Sequence, residues 1–259
     1  MVRREKANYA IQSVSHALDV LEQFSGDVDE IGVTELSKKL KLHKNNVFRL
    51  LATLEARGYI EQNKATENYR LGVKCLRLGQ TYGNQMGFLL QAKTTLHDLA
   101  RLGGESCYVA VKKGSSLIPL DFVEPQNPVR VISLLGQALP LHCTAAGKIH
   151  LAFESSDDPA RNLPDRLERY TDKTIVDREA LLRQLKDVGE HGYAVDQGEF
   201  MAEVSSVAVP IHDYTRNLVG SLAIAGPAHR LTLQRIEQEI VPLITDGGNQ
   251  LSNRLGYQR

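Results

Sequence analysis

The apolar period of this 259-residue chain changes once within its first 71 residues, and that change constrains the fold more than any other feature. From Ile11 to Phe24, Val14, Ala17, Leu18, Leu21 and Phe24 recur at three- and four-residue spacing, the stripe of an amphipathic helix. Ser25-Gly26-Asp27 stops it. After an acidic loop, Thr34 offers an N-cap oxygen to a short helix from Glu35 to Leu40, with Leu36 and Leu40 facing inward. Lys41-Leu42 then turns the chain into a third helix, opened at or beside His43, with Val47, Leu50, Leu51 and Leu54 inside and Gly58 as its stop. At Tyr59 the period falls to two. Tyr59–Gln62 and Tyr69–Leu71 read as strands joined by the polar turn Asn63–Asn68. Three short helices followed at once by a hairpin predict a winged helix-turn-helix.

Beyond the hairpin, Val73 to about Leu102 returns to helical spacing, with Gly83 and Gly87 as interruptions, and reads as a linker helix followed by the first helix of a second domain. Strands are expected at Cys107–Val111, Ser116–Val123, Val129–Ile132, Val204–Ile211 and Leu218–Ala225. Helices are expected at Ala145–Phe153, Arg178–Glu190 and Leu231–Leu251. Strands grouped with strands predict an α+β domain with a largely antiparallel sheet, not a doubly wound one.

The outer face of the third helix carries Lys44, Asn45, Asn46, Phe48, Arg49 and Thr53. Asn pairs bidentately with adenine and Arg with guanine, while Lys44 suits a phosphate; Lys38, Lys39, Lys41 and Lys64 add positive charge around them. Mixed polar helix faces are usually only solvated, but the helix order and the hairpin favour double-stranded DNA as partner, with Lys44, Asn45, Asn46, Arg49 and Lys64 as contacts. Net charge is zero, yet residues 1–85 carry 13 Lys and Arg against 10 Asp and Glu, and the remainder 18 against 21. Any polyanion contact therefore belongs to the N-terminal part.

Several classes are disfavoured. No run approaches the roughly 20 apolar residues of a membrane span, and no apolar secretory segment follows the start, so a cytoplasmic protein without membrane partners is expected. Cys75, Cys107 and Cys143 are widely spaced and odd in number, fitting free thiols. There is no Walker loop, GxGxxG turn, GxSxG elbow or HExxH helix, so neither an enzyme nor a bound cofactor is expected. Two alternatives stay open. His142-Cys143, with Asp196 and His212, invites a thiol-dependent enzyme, though neighbours on a strand point to opposite faces. The same four residues are the candidate ligands of a metal-responsive regulator, without paired ligand spacing.

In the second domain, Thr144-Ala145-Ala146-Gly147-Lys148 lies where a strand-like segment hands over to a helix. Small side chains there leave helix-start N–H groups open to a carboxylate, and they equally suit close helix packing. Asp196 follows the apolar Tyr193-Ala194-Val195, with Glu199 three residues on. It either accepts hydrogen bonds from a ligand or caps a loop.

The runs from Ser13 to Leu21, Gly32 to Ser37 and Asn46 to Leu54 resemble the DNA-binding domain of the isocitrate lyase regulator (IclR) family. Leu139 to Lys148, Gly192 to Asp196, Ala208 to Ile211, and Gly226-Pro227 with Arg230-Leu231-Thr232 resemble that family's effector domain, in the right order. The resemblance implies a winged helix-turn-helix over 9–72, a linker helix over 73–86 and a GAF-like α+β effector domain over 87–256. It also implies a homodimer or dimer of dimers whose affinity for operator DNA responds to a small-molecule effector, an organic or aromatic acid. Positions matching Ala145, Ala146, Asp196, Ser206, Ala223 and Ala225 line the family's ligand cavity, and Thr144 stands beside them. Where members commonly carry serine this chain has Ala223 and Ala225, and where cysteine is common it has Ser206. With two hydroxyls missing, a very small, fully polar keto acid loses partners and a larger, more apolar acid is favoured.

Overall fold

The computed structural model describes residues 11–24, 28–85, 87–154, 163 and 166–258. The chain forms two compact units, Met1–Gln85 and Met86–Arg259.

In the first unit, α1 (Gln12–Glu22), α2 (Val33–Leu40) and α3 (Lys44–Ala56) precede the hairpin β1 (Ile60–Gln62) and β2 (Tyr69–Leu71), and α4 (Val73–Gln85) follows. Val20, Leu36, Val47, Leu51, Ile60 and Tyr69 form its core. Ile31 extends the wing by exchanging two backbone hydrogen bonds with Tyr69, at 2.9 and 3.0 Å. Glu30 holds the wing turn by accepting from Asn63 Nδ2 and Thr66 Oγ1 at 2.6 and 2.7 Å. Gly58, at φ +75°, lets the chain leave α3 for β1.

Three details differ from expectation. α2 starts a residue before Thr34, capped by the extended backbone of Gly32 without a side-chain hydrogen bond, because Val33 already takes the helical turn. α1 buries Val20, which the expected stripe omits, whereas Val14 and Leu18 are more than half exposed; Phe24, just past the helix, is buried as expected. At about 100° per residue, Ile11, Val14 and Leu18 share a second face, turned away from Val20. α4 runs through Gly83. The expected stop at Ser25-Gly26-Asp27 and the side chain of Tyr82 lie outside the described residues.

The second unit opens with α5 (Gly87–Gly103), then β3 (Ser106–Lys113), β4 (Ser116–Val123), β5 (Leu139–Pro140), α6 (Ala145–Phe153), α7 (Arg178–His191), β6 (Ala194–Gln197), β7 (Val204–His212) and β8 (Leu218–Pro227). It closes with one turn α8 (Leu233–Arg235), a π-helical turn (Ile236–Ile240) and α9 (Val241–Arg254). The strands form one antiparallel sheet in the order β5-β4-β3-β8-β7-β6.

Period-two alternation divides the sheet into two faces. Val109, Val207, Val209, Leu222 and Ile224 pack against α5 and α9. Tyr108, Ala194, Ala208, Ala223 and Ala225 pack on the other side with α6. Two corrections apply. Val129–Ile132 is not a strand: Val129 and Ile132 are exposed, and the segment is held instead by Ser106 Oγ donating to the Val131 carbonyl (2.7 Å) and Arg230 Nη2 to that of Val129 (2.8 Å). Conversely, Ala194–Gln197 is a strand that the sequence did not announce; among the described residues it pairs only with β7, at the sheet edge.

Candidate DNA interface and effector site

His43 caps α3, its Nδ1 accepting from the Asn45 backbone at 3.4 Å. Since Val47, Leu51 and Leu54 anchor the helix to the core, Lys44, Asn45, Asn46 and Arg49 are turned to solvent. Lys64 is exposed in the wing turn. Among the described residues, none of these five side chains has an ion pair or hydrogen bond. Beside them a groove of 510 Å³ runs between α1 and α3, lined by Ser13, His16, Asn46, Arg49 and Thr53.

In the second unit, Thr144 caps α6. Its Oγ1 accepts from Gly147 N–H at 3.2 Å and donates to the Pro140 carbonyl at 2.7 Å. The N–H groups of Ala145 and Ala146 find no acceptor among the described residues. Gly147 serves packing, since a Cβ there would stand 2.3 Å from the Leu141 carbonyl oxygen. Asp196 does cap a loop: its Oδ1 accepts from the Glu199 amide at 2.7 Å, and its Oδ2 accepts from the Ser206 hydroxyl at 3.4 Å. Burial raises the Asp196 carboxyl to about 7, against the opposing hydrogen bond from the Glu199 amide and with the Glu199 charge adding to the rise.

The sheet register brings the expected effector residues together. Asp196, Ser206 and Ala225 form one cross-strand row ending at Ser106, while Ala223 lies in the next row, directly opposite Tyr108. Ala145 and Ala146 pack into the same apolar cluster. All seven, Thr144 included, are buried, and the open space lies two residue pairs along from Ser206 and Ala225. There, Val204 opposite Pro227 borders a groove of 460 Å³ that Val131, Ile132, Leu134 and Met201 also line.

Sequence reasoning missed two neighbours. Lys148, fully buried, donates to Glu199 Oε1 at 2.5 Å and to the Val195 carbonyl at 3.1 Å, while Glu199 Oε2 is buried without a partner among the described residues. Tyr108 stacks on Phe122 with ring centres 5.6 Å apart, and its hydroxyl makes no hydrogen bond among the described residues. Burial and the nearby Asp196 push its pKa up.

The thiol reading loses its geometry. His142 and Cys143 sit in the turn before α6, not on a strand, and His142 Nε2 is engaged with the Glu168 carbonyl at 2.8 Å. Burial, with Asp196 and Glu199 nearby, pushes the Cys143 thiol up to about 12. His212 lies elsewhere, against Phe153 and Tyr257. Among the described residues, no group of three or more His, Cys, Asp or Glu is placed to hold a metal.

Residues 80–253 match the family described as "Bacterial transcriptional regulator IclR C-terminal", and residues 13–64 match the "IclR helix-turn-helix domain". The chain belongs to the IclR family. It is 30% identical over 254 residues to the HTH-type transcriptional regulator KdgR of Escherichia coli (strain K12), covering 98% of this chain and 96% of that protein. The crystal structure of Thermotoga maritima IclR is 26% identical, with a TM-score of 0.80, covering 96% of this chain and all of that one. An IclR homologue from Microbacterium hydrocarbonoxydans, complexed with 4-hydroxybenzoate, shares the fold at 19% identity and a TM-score of 0.83, covering 94% of this chain and 99% of that one. As an IclR-family member, the protein is a transcription regulator with a DNA-binding helix-turn-helix and an α+β effector-binding domain. Among the described residues, no helix is long and apolar enough to cross a membrane.

Proposed function

We propose that α3 and the wing bind operator DNA, and that an organic acid with an apolar body sets the affinity. The observation that carries the first half is the row of exposed Lys44, Asn45, Asn46 and Arg49, without side-chain partners among the described residues, on a helix whose opposite face is locked into the core. Arg and Asn suit base edges, and Lys44 and Lys64 suit phosphates. The proposed regions are 9–72 for DNA binding, 73–86 as linker and 87–256 for the effector, in a cytoplasmic protein.

The effector's carboxylate is assigned to the free amides of Ala145 and Ala146, beside Asp196, Ser206, Ala223 and Ala225. Its body is assigned to the groove of Val131, Leu134, Met201 and Val204. The alanine-paved sheet face favours an apolar or aromatic acid, and the 4-hydroxybenzoate complex of the Microbacterium homologue supports that class.

We also assign a homodimer, or dimer of dimers, to the chain. Ile11, Val14 and Leu18 on α1 and Leu76 and Leu78 on α4 are all more than half exposed, apolar surface suited to a second copy. Two copies read a near-palindrome. Selection of genomic DNA fragments by the purified protein, with sedimentation of the complex, tests the whole reading. A shared inverted repeat bound by two or four chains supports it, and recovery of random fragments by a monomer rejects it.

A further inference from the structure

Phe48 is 58% exposed in the middle of α3. Its neighbours Val47 and Leu51 are fully buried, yet Phe48 belongs neither to the core cluster of the first unit nor to the side chains packed against it. No aromatic ring contacts it among the described residues. It therefore contributes little to the fold. Leaving an aromatic ring in water forgoes the burial that such a side chain normally achieves, so the ring calls for an external occupant.

The surroundings decide which one. One helical turn back stand Lys44 and Asn45, one turn ahead is Ala52, and Arg49 adjoins; all four are exposed. An apolar protein partner seated on Phe48 has to strip water from an ammonium, an amide and a guanidinium without pairing them. A polyanion satisfies those groups while the ring is covered. The exposed apolar faces that fit a second copy are on α1 and α4, not here. Within the major groove, base edges present hydrogen-bonding atoms and one apolar group, the 5-methyl of thymine. A phenyl ring has nothing to offer the former.

We infer that Phe48 is a sequence-reading residue that recognises one thymine per half-site through its 5-methyl group. This rests on α3 being the recognition helix. Lys44 and Arg49 then fix the position and orientation in which the ring meets the base.

The test uses the full-length protein and the duplex it selects most tightly from a randomised library. Each thymidine is replaced singly by deoxyuridine, which removes the methyl and leaves every hydrogen-bonding atom in place. Affinity is read by fluorescence anisotropy at fixed salt. For the wild type, one position per half-site should lose about fourfold, the value of one buried methyl. Phe48→Ala should bind the thymidine duplex more weakly by a similar factor and show no further loss at that deoxyuridine, whereas Phe48→Leu should keep most of the penalty. Because the scan is read on the wild type as well, a folding defect in a variant does not decide the outcome. A flat wild-type scan, a selected consensus without an invariant thymine, or a full deoxyuridine penalty in Phe48→Ala overturns the inference. In those cases a loss of affinity in Arg49→Ala leaves α3 as the recognition helix, and unchanged affinity in Arg49→Ala and Lys44→Ala removes that role too.

Discussion

Lys148 Nζ and Glu199 Oε1 stand 2.5 Å apart, with Lys148 fully buried and Glu199 nearly so. The pair ties the first turn of α6, where the free amides are, to the loop that Asp196 caps, so both sides of the proposed acid site share one electrostatic bolt. Removing one partner strands a buried charge. Lys148→Met should destabilise the protein by roughly 3–5 kcal/mol. Lys148→Met with Glu199→Met should recover much of that loss. Urea denaturation of the three proteins measures both; equal losses in the single and double variants would show that the pair is not the element that matters.

Asp196 predicts a pH dependence. Its carboxyl is raised from an ordinary 3.8 to about 7 by burial. Between those values the folded chain holds a proton that the unfolded chain has released. The stability contribution is therefore complete at the acid end and is lost as pH rises through about 7. A carboxylate bound beside Asp196 favours its protonated form as a like charge, so affinity for anionic acids should fall up to tenfold per pH unit above neutrality. Asp196→Asn should flatten both profiles. Calorimetric titration of a panel of acids across pH checks the sign, and affinity that rises with pH contradicts it.

The helix-turn-helix and its wing were legible because the apolar period changes from helical to alternating at Tyr59, with Gly58 marking the junction. The buried face of α1 was not. Apolar residues occupy two faces of that helix, and spacing alone could not choose Val20 over Val14 and Leu18. Val129–Ile132 has the residue types of a strand, but its ties are to the Ser106 and Arg230 side chains. β6 is four residues long and, among the described residues, paired on one side, too short to announce itself. Asp196 stood out as a carboxylate after an apolar run. Its neighbours Lys148 and Tyr108 did not, because the pairings Lys148–Glu199 and Tyr108–Ala223 span long stretches of chain that only the tertiary fold brings together.

On the DNA side, two classes of variant should separate. Arg49→Ala, losing a base contact, should cost about 1–3 kcal/mol on the selected operator and relax preference at one position. Lys44→Ala should weaken all sequences alike and reduce the slope of log affinity against log salt by about one. Anisotropy titrations over a salt series distinguish them, and identical behaviour of the two variants contradicts the assignment.

At the sheet, Ala223→Ser with Ala225→Ser places two hydroxyls on a buried apolar face. Binding of small keto acids should improve, and an aromatic or longer acid should lose roughly 1–3 kcal/mol per unpaired hydroxyl. Calorimetry with both classes of acid reads the exchange. Unchanged preference removes these positions from the pocket.

If an acid bound between α6 and the sheet controls operator affinity, Ala146→Leu should uncouple the two. Ala146 is fully buried at the start of α6, so a leucine there fills the proposed carboxylate position. Operator affinity is measured by anisotropy for the wild type and the variant, with and without each acid of a panel that includes 4-hydroxybenzoate. At least one acid should shift wild-type operator affinity by about 5- to 150-fold, and operator should shift the acid's affinity by the same factor. Ala146→Leu should bind operator like the acid-free wild type and ignore that acid. If Ala146→Leu responds to the acid as the wild type does, the effector site lies elsewhere.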